Sequence, residues 1–213
     1  VNDAGGKKNI FIINATDRLA VDDIVQKGDS LIITLPFFDS EFRVMHAGNK
    51  LTGNWIKHFA DRDIAIPFEA TYNEHFRFKL NNETPAANIS GRWAATFTNT
   101  ATNKVNENVG VFEQKGSRLT GSFLTPYGDY RYLEGVVDGD SLKLSGFDGG
   151  YALLFTAKID NDKTISGGQY YSGAGASSQS WTAEKNPDAA LPETASLLKM
   201  GASPKVSFTF KDV

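Results

Sequence analysis

Hydrophobic and polar residues alternate along most of this chain, in short stretches where every second residue is apolar. A period of two is typical of β-strands that place one face on a core, and no stretch longer than about a dozen residues has helical spacing. The chain is therefore predicted to be all-β. The predicted strands are 9–14, 20–25, 30–35, 41–46, 50–56, 64–70, 91–98, 109–114, 118–124, 130–137, 141–147, 151–158, 164–171 and 178–184.

The residues between these strands are typical of hairpin turns. Gly28-Asp29, Gly48-Asn49, Gly116-Ser117 and Gly139-Asp140 pair a glycine that tolerates positive φ with a short polar side chain. In the second half, turns recur every 22 to 23 residues at Gly116, Gly139 and Asn161, which fits two strands and a turn at the opposite end. A meander of many strands leaves two unpaired edges, and closure removes them. The pattern predicts an antiparallel meander closed into a lipocalin-like β-barrel.

The two halves of the chain resemble each other. The segment Gln26–Leu31 matches Gln114–Leu119 at an offset of 88 residues, and the same offset aligns Phe42-Arg43 with Tyr130-Arg131. Internal duplication explains this match, and so does the chance recurrence of hairpin residues in any meander. The sequence leaves both explanations open.

The domain organisation predicted from these patterns is one barrel over residues 1–186, with halves at about 1–80 and 89–186. Pro187 and Pro192 interrupt the strand pattern, so 187–204 is predicted to be a linker that holds a short helix over 193–200. Residues 207–210 alternate like a strand, from which we expect a longer protein with a domain boundary near this point.

Composition excludes several functions. The 22 Lys and Arg residues are outnumbered by 25 Asp and Glu and form no cluster, which argues against nucleic acid as a partner. No run approaches the roughly 18 apolar residues of a membrane-spanning helix. The chain has no Cys, so disulfides, thiolate metal sites and cysteine nucleophiles are excluded. No nucleotide-binding or hydrolase motif follows a strand, and we expect neither a metal nor a cofactor.

Aromatic, basic and acidic side chains are concentrated around one predicted hairpin and the turn that follows it. If Arg131 shares the interior face with Leu133, its buried charge needs an acidic partner, and Asp148 is the best candidate. The pair is then either a structural salt bridge or part of a polar anchor for a ligand. The alternative is that Arg131 extends from the rim of the barrel into solvent. The candidate ligand-binding residues are Tyr127, Tyr130, Arg131, Phe147, Asp148 and Tyr151.

Several segments resemble the N-terminal domain of bacterial TlpA-like thiol-disulfide oxidoreductases, most strongly between about residues 91 and 192. These segments are Gly91–Trp93, Phe112–Gly135, Asp140–Leu142, Ser145–Gly149 and Trp181–Ala183.

The resemblance implies a thioredoxin-like domain with a Cys-x-x-Cys motif after this one, and 205–213 looks like its opening strand. It also implies export to the periplasm, often as a membrane-anchored lipoprotein. Because this chain has no Cys, we expect it to be inactive in disulfide exchange.

Three functions remain open at this point. The first is a non-catalytic accessory domain whose partners are the thioredoxin-like domain and the protein substrates of that domain. The second is a lipocalin-like or avidin-like carrier of a small ligand. The third is an independent hydrolase, for which the only support is the abundance of carboxylates.

Overall fold

The computed structural model describes residues 9–81, 83–173 and 178–192. All regular secondary structure within these residues is β-strand, which confirms the all-β prediction, and none of them forms a helix able to cross a membrane. The strands are β1 (Ile10–Asn14), β2 (Asp17–Val21), β3 (Ile24–Lys27), β4 (Ser30–Thr34), β5 (Ser40–Ala47), β6 (Lys50–His58), β7 (Asp63–Thr71), β8 (Gly91–Asn99), β9 (Val105–Lys115), β10 (Arg118–Thr125), β11 (Gly128–Asp138), β12 (Ser141–Phe147), β13 (Ala152–Ile159), β14 (Thr164–Ser172) and β15 (Gln179–Lys185).

Strands β8 to β15 form a closed antiparallel barrel of eight strands. Each strand pairs with the next one along the chain, and β15 returns to β8 with Trp181 opposite Phe97. The meander and its closure are confirmed. Closure leaves no unpaired strand edge in this sheet, which is the reason for which closure was predicted.

The extent of the barrel differs from the prediction of one barrel across residues 1–186. Strands β3 to β7 form a separate open sheet, and β1 and β2 form a hairpin. The open sheet does not curl onto itself; its inward residues Phe42 and Trp55 cluster with Phe147 and Ala152 of the barrel instead. The predicted strand 20–25 is also two strands, because β2 ends at Val21 and β3 begins at Ile24.

The match between the two halves has a structural counterpart. Strands β3 to β7 pair in the same consecutive order as β9 to β13. Gln26 donates its side-chain Nε2 to the carbonyl of Gly28 at 2.8 Å, and Gln114 donates to that of Gly116 at 3.0 Å. Both glycines have φ near +60°, a conformation that favours glycine. The residues 88 apart therefore lie in equivalent hairpins.

Aromatic side chains fill the inside of the barrel. Phe97, Phe123 and Trp181 are almost fully buried there, and their ring centroids lie 5.1 to 5.8 Å apart. Burial of rings on this scale dominates the energetics of a small core. The middle of the barrel is thus a packed core, as eight-stranded barrels commonly are.

One end of the barrel is closed by side chains and by the segments that flank β8 and β15, and the other, open end holds a cleft. Trp93 lies at the closed end and donates its indole N–H to the carbonyl of Ile89 at 2.8 Å. Beside it, Arg92 donates two hydrogen bonds to the carbonyl of Ala189, which holds residues 187–192 at this end. The rest of the predicted linker with its helix at 193–200, and the predicted strand at 205–213, lie outside the described residues.

Candidate functional site

A cleft of about 530 Å³ lies at the open end of the barrel. Its walls come from the β10–β11 and β12–β13 connections, from β14 and from the β1–β2 hairpin. The structure brings together all the ligand-binding residues that the sequence suggested. Tyr127, Tyr130, Arg131, Phe147, Asp148 and Tyr151 all line this cleft.

Two tyrosines form the inner surface of the cleft, and a buried phenylalanine packs behind them. The ring centroids of Tyr130 and Tyr170 lie 5.3 Å apart, and Phe155 lies 4.6 Å from Tyr170 on the side of the core. Burial and hydrogen bonding to Tyr130 raise the pKa of the Tyr170 hydroxyl far above its usual value. Tyr170 is therefore a neutral hydroxyl at any physiological pH.

Arg131 lies at the rim of the cleft and points to solvent. Its side chain is 63% exposed, and its Nε lies 3.4 Å from the carboxylate of Asp129. Burial of Arg131 with Asp148 as its partner, which was one of the two interpretations of the sequence, is therefore wrong, and Arg131 takes the alternative position at the rim. An exposed pair of this kind contributes little to stability.

The reason for this difference is a β-bulge. The register of β10 and β11 passes from Gly121 opposite Leu133 to Phe123 opposite Tyr130, so Arg131 and Tyr132 together face one residue of β10. Tyr132 has φ of 60°, which fits a bulge residue. The extra residue reverses the alternation, so that Tyr130 and Leu133 both point to the interior.

Asp148 shapes the β12–β13 connection. Its Oδ1 accepts hydrogen bonds from the backbone N–H groups of Gly150 at 2.8 Å and Tyr151 at 2.7 Å. This is the local side-chain to backbone pattern that stabilises turns. The Oδ2 atom accepts no hydrogen bond from the described residues and remains available at the cleft.

The N-terminal hairpin supplies one wall of the cleft. Asn14, which is buried, donates its side-chain N–H to the carbonyl of Phe147 at 2.7 Å and accepts from the N–H of Phe147 at 3.0 Å. This exchange imitates a strand pairing and fixes the hairpin against β12. Asp17, at the start of β2, lines the same wall.

The open sheet packs against the other side of the β12–β13 connection. Lys57 donates to the carbonyl of Gly150 at 2.6 Å, and its ammonium lies 4.2 Å from the ring centroid of Tyr151. The sheet thereby fixes Tyr151 at the edge of the cleft.

Sequence reasoning misses several lining residues. Tyr170 lies about 40 residues beyond Tyr130, and only closure of the barrel brings them together. Strict alternation would place Tyr132 and Arg131 on opposite faces of β11, but the bulge breaks this alternation. Nothing in the sequence marks Leu153 as a lining residue. Asn14 and Asp17 belong to a hairpin that the sequence pattern places in a different part of the barrel wall.

A second, smaller groove of about 310 Å³ lies on the outside of the barrel beside the turn at Ala15. Its charged residues are paired with each other: Lys115 contacts Glu113, and Arg118 contacts Glu134. No group of three or more His, Asp or Glu among the described residues is placed to hold a metal. The tyrosine-lined cleft is therefore the stronger candidate.

Comparison of the chain with protein-family models, with curated proteins and with solved structures gave no significant match. The resemblance to TlpA-like N-terminal domains stays a prediction.

Proposed function

We propose that this chain is a non-catalytic binding module that holds a small ligand in the tyrosine-lined cleft. The observation that carries the proposal is the cleft itself, which is large, has a mainly apolar surface to which six aromatic side chains contribute, and carries polar and charged groups beside them. This combination is typical of small-molecule sites.

Two features of the surroundings support a preformed site. The packed aromatic core lies directly beneath Tyr130 and Tyr170, so the inner surface has little freedom to collapse. The wall at Asn14 and the turn at Asp148 are each fixed by two hydrogen bonds. Rigid walls reduce the conformational entropy that the protein loses when a ligand binds.

The test is a fragment screen by ligand-observed NMR, repeated on variants that fill the cleft. Thr125→Trp and Leu153→Trp each put a large side chain at a lining position, and fragment binding should be lost in both. The matched control is Leu124→Trp, since Leu124 follows Phe123 on the opposite face of β10 and does not line the cleft. Binding that survives both cleft variants, or the absence of any bound fragment, would refute the proposal.

We further propose that the module accompanies a thioredoxin-like domain in an exported thiol-disulfide oxidoreductase. The support is the resemblance of the segments between Gly91 and Ala183, and the lack of Cys in the chain, which requires the dithiol to lie elsewhere. Sequencing the gene on both sides of this segment tests the idea. We expect a Cys-x-x-Cys motif after a predicted strand downstream and an export signal upstream.

A further inference from the structure

Among the residues that line the cleft, carboxylates outnumber cations, and the ammonium groups of Lys57 and Lys104 reach only the tyrosines at its edge. Three carboxylates line the cleft, those of Asp17, Asp129 and Asp148, and Arg131 is the only cation among its described lining residues. Arg131 lies beside Asp129, and no Lys, Arg or His of the described residues forms an ion pair with Asp17 or Asp148. A low-dielectric wall behind these carboxylates strengthens their attraction for a cation.

The uncharged part of the lining also favours a cation over an anion. Five tyrosines line the cleft: Tyr127, Tyr130, Tyr132, Tyr151 and Tyr170. The faces of aromatic rings carry a negative quadrupole and attract ammonium groups within about 6 Å. An anionic ligand would meet the tyrosine hydroxyls as donors but only one cation in the lining, Arg131, which already lies beside Asp129.

The chain itself shows that the outer rings of this set accept ammonium groups. The Nζ of Lys57 lies 4.2 Å from the ring centroid of Tyr151, and that of Lys104 lies 5.8 Å from the centroid of Tyr127. No Lys or Arg of the described residues stacks on Tyr130, Tyr132 or Tyr170. Tyr170 is only 5% exposed and stacks on Phe155, whereas Tyr130 and Tyr132 are more exposed and present ring surface to a cation that enters the cleft.

We infer that the cleft selects small organic cations, whose ammonium group lies against the rings of Tyr130 and Tyr132 and within reach of Asp17 and Asp148. This inference rests on the proposed binding function and narrows its ligand class. The apolar part of such a ligand packs on Phe147 and Leu153. Anionic ligands are repelled, and neutral ligands gain only the packing.

The experiment compares the binding of three probe molecules that have similar shapes and different charges. Benzylammonium, benzyl alcohol and benzoate share a phenyl ring and differ in charge, and each is titrated into the protein at neutral pH and low ionic strength. We expect benzylammonium to bind at least about fivefold more tightly than benzyl alcohol, and benzoate to bind least. High salt should reduce the difference between benzylammonium and benzyl alcohol.

Two isosteric variants test the residues. Asp17→Asn and Asp148→Asn remove one charge each, and the new amide in Asp148→Asn keeps an oxygen that can accept from Gly150 and Tyr151. Each variant should weaken benzylammonium binding about two- to fivefold and leave benzyl alcohol binding unchanged. Glu107→Gln, at an exposed carboxylate on β9 outside the cleft lining, is the control and should change neither.

The outcomes separate this inference from the proposed function. Equal binding of the three probes, abolished by Thr125→Trp, would overturn the preference for cations and leave a binding cleft. Tighter binding of benzoate would also overturn it. If none of the three probes binds, the inference fails, and the fragment screen decides the proposed function by itself.

Discussion

Asn14 and Phe147 exchange two hydrogen bonds across 133 residues of sequence, one from the amide of Asn14 at 2.7 Å and one to it at 3.0 Å. The pair fixes the N-terminal hairpin to β12 of the barrel. Asn14→Ala removes both bonds and leaves two buried backbone groups without a partner, so we expect the free energy of unfolding to fall by about 2 kcal/mol. Chemical denaturation measures this, and Asn54→Ala, at an exposed position of β6, is the control with little change. A loss no greater than that of the control would show that the pair does not hold the hairpin.

Two arginines differ in their predicted contribution to stability. Arg131→Met should change the free energy of unfolding by less than about 0.5 kcal/mol, because this side chain is exposed and only loosely paired. Arg77→Met should cost about 1–3 kcal/mol, because Nη2 of Arg77 donates to the carbonyl of Ile13 at 2.5 Å and Nη1 to the hydroxyl of Ser145 at 3.1 Å. Thermal melts of both variants compare them directly. A larger loss for Arg131→Met would indicate a buried role that the bulge rules out.

The backbone of β14 at Gly168 lies very close to Trp181 and its indole ring. A methyl group at this position would lie 2.4 Å from the carbonyl oxygen of Trp181 and 2.5 Å from its indole. Gly168→Ala should therefore destabilise the barrel by about 1–3 kcal/mol through overpacking. Gly116→Asn serves as the control, since Gly116 has φ of +60° and open space around it, and Asn tolerates this conformation. Equal melting temperatures for the two variants would contradict the packing described for β14.

Glu134 is expected to make stability depend on pH. Burial would raise the pKa of this carboxyl, but hydrogen bonds from Arg118 and the backbone of Ala15, with the charges of Arg118 and Arg77, outweigh burial and lower it below 4.5. Because the pKa is lower in the folded state, the carboxylate stabilises the fold above about pH 4.5, and this stabilisation is lost as the pH falls through the folded pKa.

Glu134→Gln should consequently be less stable than the unmodified protein at pH 7, by roughly 1 kcal/mol. The difference should shrink below pH 4.5. Urea denaturation across this range provides the measurement, and Glu107→Gln controls for the loss of a carboxylate in general. A difference that stays constant as the pH falls would mean that the charge of Glu134 does not contribute.

Local patterns predicted much of this fold. Alternation located the strands, and glycine-containing turns such as Gly116-Ser117 and Gly139-Asp140 located the hairpins, because both depend on neighbouring residues alone. The extent of the barrel could not be predicted in this way. Strands β3 to β7 alternate as well as β9 to β13 do, and what separates them is whether their inward residues close on themselves or pack against Phe147 and Ala152.

The sequence predicted which residues meet at the candidate site but not how their side chains are arranged there. Aromatic and charged residues of adjacent hairpins meet at one rim because antiparallel strands return to the same end. Tyr170 reaches this rim only through barrel closure, and Arg131 leaves the interior only through the bulge at Tyr132. Neither closure nor a bulge leaves a signal in the alternation of a single strand.

The central claim is that a small ligand binds at the open end of the barrel. The tyrosine rings of the chain can be used to detect this binding. Of its seven tyrosines, Tyr127, Tyr130, Tyr132, Tyr151 and Tyr170 line the cleft, whereas Tyr72 and Tyr171 do not. Titration of benzylammonium and of benzyl alcohol into protein with isotope-labelled tyrosine rings follows both groups at once by NMR. We expect saturable shifts of the cleft tyrosines and unchanged signals for Tyr72 and Tyr171. If both groups shift alike, or if neither these probes nor any molecule of the fragment screen moves the cleft tyrosines, the cleft is not a binding site.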